Sequence, residues 1–228
     1  MSAIQKSIRE LAGLAKRHDE IMVGFSAGKD SLAVLDLCAK TFKKVHPVFF
    51  YLVPGLEVIE VIHRWAQQRY GVEVIQIPST SLITAKKHGT FCNPLAALEK
   101  APDEIPLKMR LAYGLDMVGC HLCATGMKDA DGFQRRQFFG NIRDGKDPFW
   151  NRVIHPIRSW TKKDVLDYLK VNDIPLPDSE PGAVTSGVGL EHNCLNWLHD
   201  KHPEDFKKLC KLFPYAEAAI KRREWFGI

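Results

Sequence analysis

Three short apolar segments alternate with helix-spaced stretches, and this alternation constrains the fold more than any other feature. Glu20 to Phe25 (EIMVGF), Val45 to Val53 and Val72 to Ile77 are near-continuous apolar runs. Pro54-Gly55 closes the second and Pro78 the third. Between them, residues 31–42 return to helical periodicity through Leu32, Leu35, Leu37 and Ala39. Residues 57–70 carry Val58, Val61, Ile62, Trp65 and Ala66 on one helical face. Strands that are apolar throughout are buried on both faces, and the β-α-β-α-β order requires crossovers between parallel strands. The expectation is an α/β fold: a Rossmann-like parallel sheet with helices on both faces, plus a helical C-terminal extension.

Other segments are placed less sharply. Ile4, Ile8, Leu11, Leu14 and Ala15 predict an amphipathic first helix over 4–17. A helix is expected near 104–114, a fourth strand within 116–125 and a polar, charged stretch over 126–147. A fifth strand follows at 153–157 and a helix at 162–171. Pro175, Pro177, Pro181, Gly182, Gly187 and Gly189 mark a long loop. Residues 190–226 read as helical, broken at Pro203 and Pro214. Of the 228 residues, 1–180 are expected to form the nucleotide-binding domain and 181–228 the loop and extension.

No run approaches the ~20 apolar residues of a membrane span. Glu10, Lys16, Arg17, Asp19 and Glu20 interrupt any signal-like N-terminal stretch. A cytoplasmic protein without a membrane partner is expected. The net charge of +5 suits a polyanion, either nucleotide or nucleic acid. The six cysteines read as thiols, metal ligands or catalytic groups rather than a disulfide framework.

The chemistry concentrates in Ser26-Ala27-Gly28-Lys29-Asp30-Ser31, directly after the first strand and at the start of the next helix. A helix N-terminus presents unpaired N–H groups and the positive end of its dipole. Gly28 lets backbone approach a phosphate, Ser26 and Ser31 offer hydroxyls, and Lys29 adds a compact charge. Asp30 can stabilise the first turn or help hold a metal. Both the Walker A spacing and the dinucleotide G-x-G-x-x-G pattern are absent.

This run resembles the PP-loop of the adenine nucleotide α-hydrolase superfamily. Lys after Gly is similar in particular to the phosphoadenosine phosphosulfate (PAPS) reductase family. Gly126-Met127-Lys128-Asp129-Ala130-Asp131-Gly132-Phe133-Gln134-Arg135 resembles that family's Gly-x-Arg-x-x-Glu-Ser-x-x-Arg substrate loop. His155-Pro156-Ile157-Arg158-Ser159-Trp160-Thr161, followed by Asp164-Val165 and Tyr168, is similar to its Pro-Leu-x-x-Trp-Thr-x-x-Asp-Val block. The resemblance spans residues 20–178. It implies PAPS or ATP bound with its phosphates on Ser26 to Ser31. Gly126, Lys128, Asp131, Arg135 and Arg136 would lie beside it, the cations reaching over the phosphate or sulfate. Magnesium accompanies the ATP reading and is unnecessary for PAPS. Trp160 reads as a core or helix-entry anchor.

The chain departs from the family in two places. Reductases attack sulfur with the thiolate of a C-terminal Glu-Cys-Gly-x-His motif, whereas here Trp225 follows Glu224 and the last cysteine is Cys210. Tyr51-Leu52-Val53-Pro54-Gly55-Leu56-Glu57 lacks the family's Asp. Other sulfurs come into view instead. Cys120 and Cys123 form a Cys-x-x-Cys pair, which with Cys92 and Cys194 can hold zinc or an iron–sulfur cluster if all four converge. Strand alternation across 117–125 and the isolation of Cys92 and Cys194 disfavour that arrangement. Cys194, near His192, is the best single thiol for sulfur chemistry; Cys38 and Cys210 read as core. Lys207, Lys208, Lys211, Lys221, Arg222 and Arg223 interleave with Phe206, Phe213, Tyr215, Trp225 and Phe226. This is either an amphipathic tail packed on the sheet, the favoured reading, or a nucleic-acid surface.

Three functions therefore stand open. The first is a PAPS reductase-like enzyme acting at the phosphate or sulfonate of an adenylyl nucleotide, with Lys29, Lys128, Arg135 and Cys194 as catalytic candidates. The second is an ATP-pyrophosphatase that adenylates a substrate, such as a nucleic-acid base, for sulfur or nitrogen transfer. The third is a non-catalytic nucleotide-binding module. The oligomeric state is left open, with a homodimer as one arrangement.

Overall fold

β1 (Glu20–Gly24) lies at the centre of a parallel five-stranded sheet of order β3-β2-β1-β4-β5. The other strands are β2 (Lys44–Tyr51), β3 (Ile75–Pro78), β4 (Cys123–Ala124) and β5 (Val153–Ile154). The computed structural model describes residues 2–103, 105–143, 147–178 and 188–227. From β1 the chain first builds outward through α2 (Lys29–Ala39), β2, α3 (Glu57–Tyr70) and β3. It then returns through α4 (Thr80–His88) and α5 (Leu107–Val118) to place β4 on the other side of β1. This reversal opens a crevice at the carboxyl ends of β1 and β4, where open α/β sheets bind ligands.

Both faces of the sheet are covered, as the apolar strands require. The main core joins Ile21 and Val23 of β1 to residues of α2, α3 and the C-terminal helices. A smaller cluster on the opposite face packs Met22, Val48 and Ile77 against Leu111 and Leu115 of α5.

The elements match the sequence reading best where periodicity is clean. α3 spans residues 57–70 and α7 (Lys162–Val171) spans 162–171, as expected. α1 (Ala3–Ala15) matches the predicted first helix with small end differences. The expected fourth strand over 116–125 is corrected. α5 runs on to Val118, Gly119 ends it with a left-handed φ of 67°, and only Cys123 and Ala124 pair as a strand. The stretch 126–147, expected as polar and charged with no helix assigned to it, holds α6 (Phe133–Arg143). Its polar residues 134–137 are exposed and Phe139 is fully buried. A single buried anchor leaves too faint a period to read. The core of the long loop and the 180/181 boundary lie outside the described residues.

After that loop come α8 (His192–Lys201), α9 (Pro203–Leu212) and α10 (Glu217–Phe226), broken at Pro203 and Pro214 as expected. Phe206 and Phe213 enter the core, whereas Trp225 and Phe226 are exposed.

Three buried polar anchors hold the helices in place. Asp36 on α2 is fully buried and accepts from Tyr70 Oη at 2.9 Å, Tyr168 Oη at 2.5 Å and Lys40 Nζ at 2.7 Å. Trp160 is buried, as read, and donates its indole N–H to Ser7 Oγ of α1 at 2.9 Å. The third anchor holds the extension. Leu56 cannot cap α3 with its side chain, and Asp205 of α9 does so instead, accepting from the amides of Glu57 at 2.8 Å and Val58 at 2.9 Å.

Asp205→Ala leaves the buried Val58 amide and the part-buried Glu57 amide without this partner. It should lower the stability of the whole chain by about 2 kcal/mol in urea unfolding, with Asp205→Asn intermediate.

Candidate functional site

The loop after β1 is held in shape by one hydroxyl. Ser31 Oγ accepts from the amide of Ser26 at 3.2 Å and from the amide of Gly28 at 3.1 Å. It donates to the carbonyl of Gly28 at 3.0 Å and lies 3.2 Å from Ser26 Oγ. Gly28 caps α2 in an extended conformation without a side chain. Ala27 adopts a left-handed φ of 61°, unusual for a residue with a Cβ. The loop therefore curls tightly and directs the first turn of α2 into the crevice.

Two lysines meet one carboxylate at this turn. Asp30 Oδ2 is 2.8 Å from Lys29 Nζ, and Asp30 Oδ1 is 2.6 Å from Lys128 Nζ. Lys128 is only 3% exposed and also contacts Asp131 Oδ1 at 3.0 Å. The amide of Lys128 donates to Asp131 Oδ2 at 2.9 Å, so this carboxylate braces the segment as well as its charge. Lys128 is thus packed into the loop's base rather than extended over it. Gly126 makes this contact possible: a Cβ there would sit 3.1 Å from the Asp30 carbonyl carbon and 3.2 Å from the Ser31 nitrogen.

The rim is basic. Arg135 and Arg136 stand exposed on α6, and Arg135 contacts Met127 Sδ at 3.1 Å. Arg158 pairs with Asp129 at 3.1 Å and stacks 4.2 Å from the centre of the Phe139 ring. Arg110 of α5 lies over Phe50 at 5.9 Å; burial first, and then the charge of Arg135, lowers its proton affinity. Arg110 and Arg158 were given no role by the sequence reading. The available signal was a lone Arg110 within the apolar spacing of Leu107, Leu111 and Leu115.

His155 closes the floor beside β5. Its Nδ1 is 2.7 Å from Thr125 Oγ1, and its ring meets Phe139 edge-on at 4.8 Å. Burial, then Arg158 and Arg135, push its pKa down to about 4. The imidazole is therefore neutral at pH 7.

The four cysteines do not assemble. Cys92 packs in the main core, Cys120 and Cys123 in the smaller cluster, and Cys194 lies near the start of α8, accepting from the amide of Gly189 at 3.3 Å. Among the described residues the one group of at least three His, Cys, Asp or Glu donors close enough for an ion is Glu20, His46 and Cys120. The arrangement fits neither an iron–sulfur cluster nor zinc held by the four cysteines. Burial pushes the Cys123 thiol up to about 12 and raises Cys38, Cys120 and Cys210 too. Cys38 is core, as read, and Cys210 is half-buried at the core's edge.

A match to the phosphoadenosine phosphosulfate reductase domain covers residues 20–178, which include the Ser26–Ser31 loop, α2 and the 126–135 segment. The chain belongs to that family. Two solved structures with TM-scores above 0.5 agree on the fold. The U34-tRNA thiolase NcsA from Methanococcus maripaludis, which carries a 4Fe–4S cluster, is 15% identical with a TM-score of 0.51, covering 95% of this chain and 78% of its own. The NH3-dependent NAD synthetase from Campylobacter jejuni, in complex with nitrate, is 12% identical with a TM-score of 0.51, covering 99% and 95%. The PAPS reductase from Candida auris, in complex with phosphate, is 16% identical with a TM-score of 0.48, covering 78% and 82%. No curated protein matches the chain. Among the described residues no helix is long and apolar enough to cross a membrane.

Three substitutions have outcomes that can be stated. Gly126→Ala should destabilise by about 1–3 kcal/mol in urea unfolding, because backbone must move. Gly13→Ala, with nothing within 4 Å of its Cβ, should instead stabilise by ~0.5–1 kcal/mol. For His155, the unfolded chain binds a proton between pH 6.5 and about 4 where the fold does not. Its contribution is intact above pH 6.5 and is lost as pH falls to about 4. His155→Gln should flatten stability across that window by up to about 3 kcal/mol.

Proposed function

We propose that this protein is an enzyme that binds an adenylyl nucleotide, PAPS or ATP, and acts at its phosphate or sulfonate group. The observation that carries this reading is the curled Ser26–Ser31 loop, which presents the start of α2 and Lys29 at the switch point of the sheet. Residues 1–180 form the nucleotide-binding unit and 181–228 the extension that braces it through Asp205.

In this reading the phosphates lie against the backbone of Ala27, Gly28 and Lys29. Entering phosphate competes with Asp30 for Lys29, while Lys128 keeps its second carboxylate, Asp131. Arg135 and Arg136 approach from α6, where a guanidinium can hold a phosphate through two parallel hydrogen bonds. Lys29, Lys128 and Arg135 then stabilise negative charge developing on the phosphates. His155, neutral and facing Thr125, supplies a polar floor without adding charge.

The thiols favour adenylation by ATP over thiol-driven reduction of PAPS. Cys194 is 4% exposed, and Cys38, Cys120, Cys123 and Cys210 are all held toward the protonated form. A thiol of that kind is a poor nucleophile. Adenylation needs an oxygen nucleophile on the second substrate and releases pyrophosphate. Magnesium would arrive with the ATP phosphates, since the Asp30 carboxylate is already shared by two lysines. The basic C-terminus gives weaker support to a nucleic-acid substrate. Arg223 pairs with Asp200 at 2.7 Å, Lys221 with Glu224 at 2.8 Å and Lys207 with Glu204 at 2.6 Å.

Calorimetry with ATP, PAPS and adenosine 3′,5′-bisphosphate side by side tests the reading. Binding of ATP without preference for a 3′-phosphate supports adenylation; preference for the 3′-phosphate selects PAPS. Lys29→Ala should weaken the bound nucleotide by roughly 10–100-fold, the worth of one charged hydrogen bond. Unchanged affinity in that variant, or no binding of any of the three, would sink the proposal.

A further inference from the structure

At the rim of the sheet opposite Ser26–Ser31, two neighbouring strands and the turn that leads into a third bring unlike donor atoms together. Glu20 opens β1, His46 lies on β2, and Cys120 sits in the turn between α5 and β4. Glu20 pairs in register with Lys44, and Met22 pairs with both His46 and Cys123. Side-chain alternation then puts Glu20 and His46 on one face, the face that α5 covers. Cys120 reaches the same place from the end of α5.

A carboxylate oxygen of Glu20, a ring nitrogen of His46 and the Cys120 sulfur all lie within 4.8 Å of one another. Glu20 Oε2 is already 2.7 Å from His46 Nε2. Ligands on a tetrahedral ion with bonds of ~2.0–2.3 Å stand roughly 3.5 Å apart, so small rotations close the set. The turn that carries the thiol is held from behind. Arg152 donates from Nε to the carbonyl of His121 at 2.9 Å and from Nη2 to that of Cys120 at 3.2 Å.

We propose that Glu20, His46 and Cys120 bind a zinc-class divalent cation, with a fourth position left to water. One sulfur, one imidazole and one carboxylate are a donor set for zinc, whereas magnesium and calcium select oxygen alone. Lys44 Nζ, 3.6 Å from Glu20 Oε2, is well exposed and swings aside. Cys120 releases its proton to solvent as its sulfur donates an electron pair to the ion; neither changes oxidation state. The site is separate from the nucleotide loop: four strand steps divide Glu20 from Gly24, ~13 Å at ~3.3 Å per residue.

The intact chain, stripped with a chelator, is titrated with Zn2+ against a chromophoric competitor and separately with Co2+. One ion per chain is expected, with the charge-transfer absorption of a cobalt–thiolate bond. Cys120→Ser should abolish that absorption, and His46→Ala should weaken zinc by about 100-fold or more. Lys29→Ala should leave zinc stoichiometry and affinity unchanged. Absence of saturable zinc binding by the wild type overturns the proposal, as does equal affinity in His46→Ala and Cys120→Ser. Should Cys120→Ser fail to fold, the wild-type cobalt spectrum together with Glu20→Gln and His46→Asn decides, because Glu20 is exposed and His46 only half-buried at the rim.

Discussion

Parallel pairing obliges the chain to cross over between neighbouring strands, and every crossover returns it to the same edge of the sheet. The rest of this protein depends on that constraint. β1 is central because β2 is built on one side of it and β4 on the other. Its carboxyl end therefore faces two chain segments at once, the loop into α2 and the segment from Thr125 to Lys128. Gly126 allows these to touch at backbone distance. The chemistry of the crevice is thus a by-product of strand order, refined by one missing side chain.

The helical layer is fixed by buried polar contacts as much as by apolar area. Asp36 gathers α2, the end of α3 and α7 through two tyrosine hydroxyls. Burial and the Asp36 carboxylate hold both phenols in their protonated, donating form. Asp205 joins the last third of the chain to the first by capping a helix that cannot cap itself. Such contacts are directional, so they specify which helix sits where, whereas a Leu or Val face tolerates sliding.

What was legible in the sequence follows from range. β1, the loop and α2 are contiguous, and their apolar run, turn residues and helical spacing all report the same arrangement. The parallel sheet and the family could be read from there, together with the Gly126 and His155 segments. Three features were not legible. β4 is only two residues long because Gly119 ends α5 late, and an apolar run around Leu122 looks like strand in either case. α6 keeps one fully buried side chain, Phe139, too few to mark a period. The Asp30–Lys128 and Glu20–His46–Cys120 groupings are set by strand neighbours far apart in the chain, which no local pattern encodes. The four-cysteine site, disfavoured by the alternation across 117–125 and by the isolation of Cys92 and Cys194, does not form: Cys92 packs in one core and Cys120 and Cys123 in the other.

The Asp30 carboxylate gives the loop a threshold. Its two lysine partners are already neutralised, so an incoming monoanion exchanges one negative partner for another and gains little. A ligand bearing several negative charges can displace the carboxylate from Lys29 and still engage the helix terminus and the α6 guanidiniums. In the proposed reading this favours polyanions before any contact to base or sugar is made, and small inorganic anions would compete poorly.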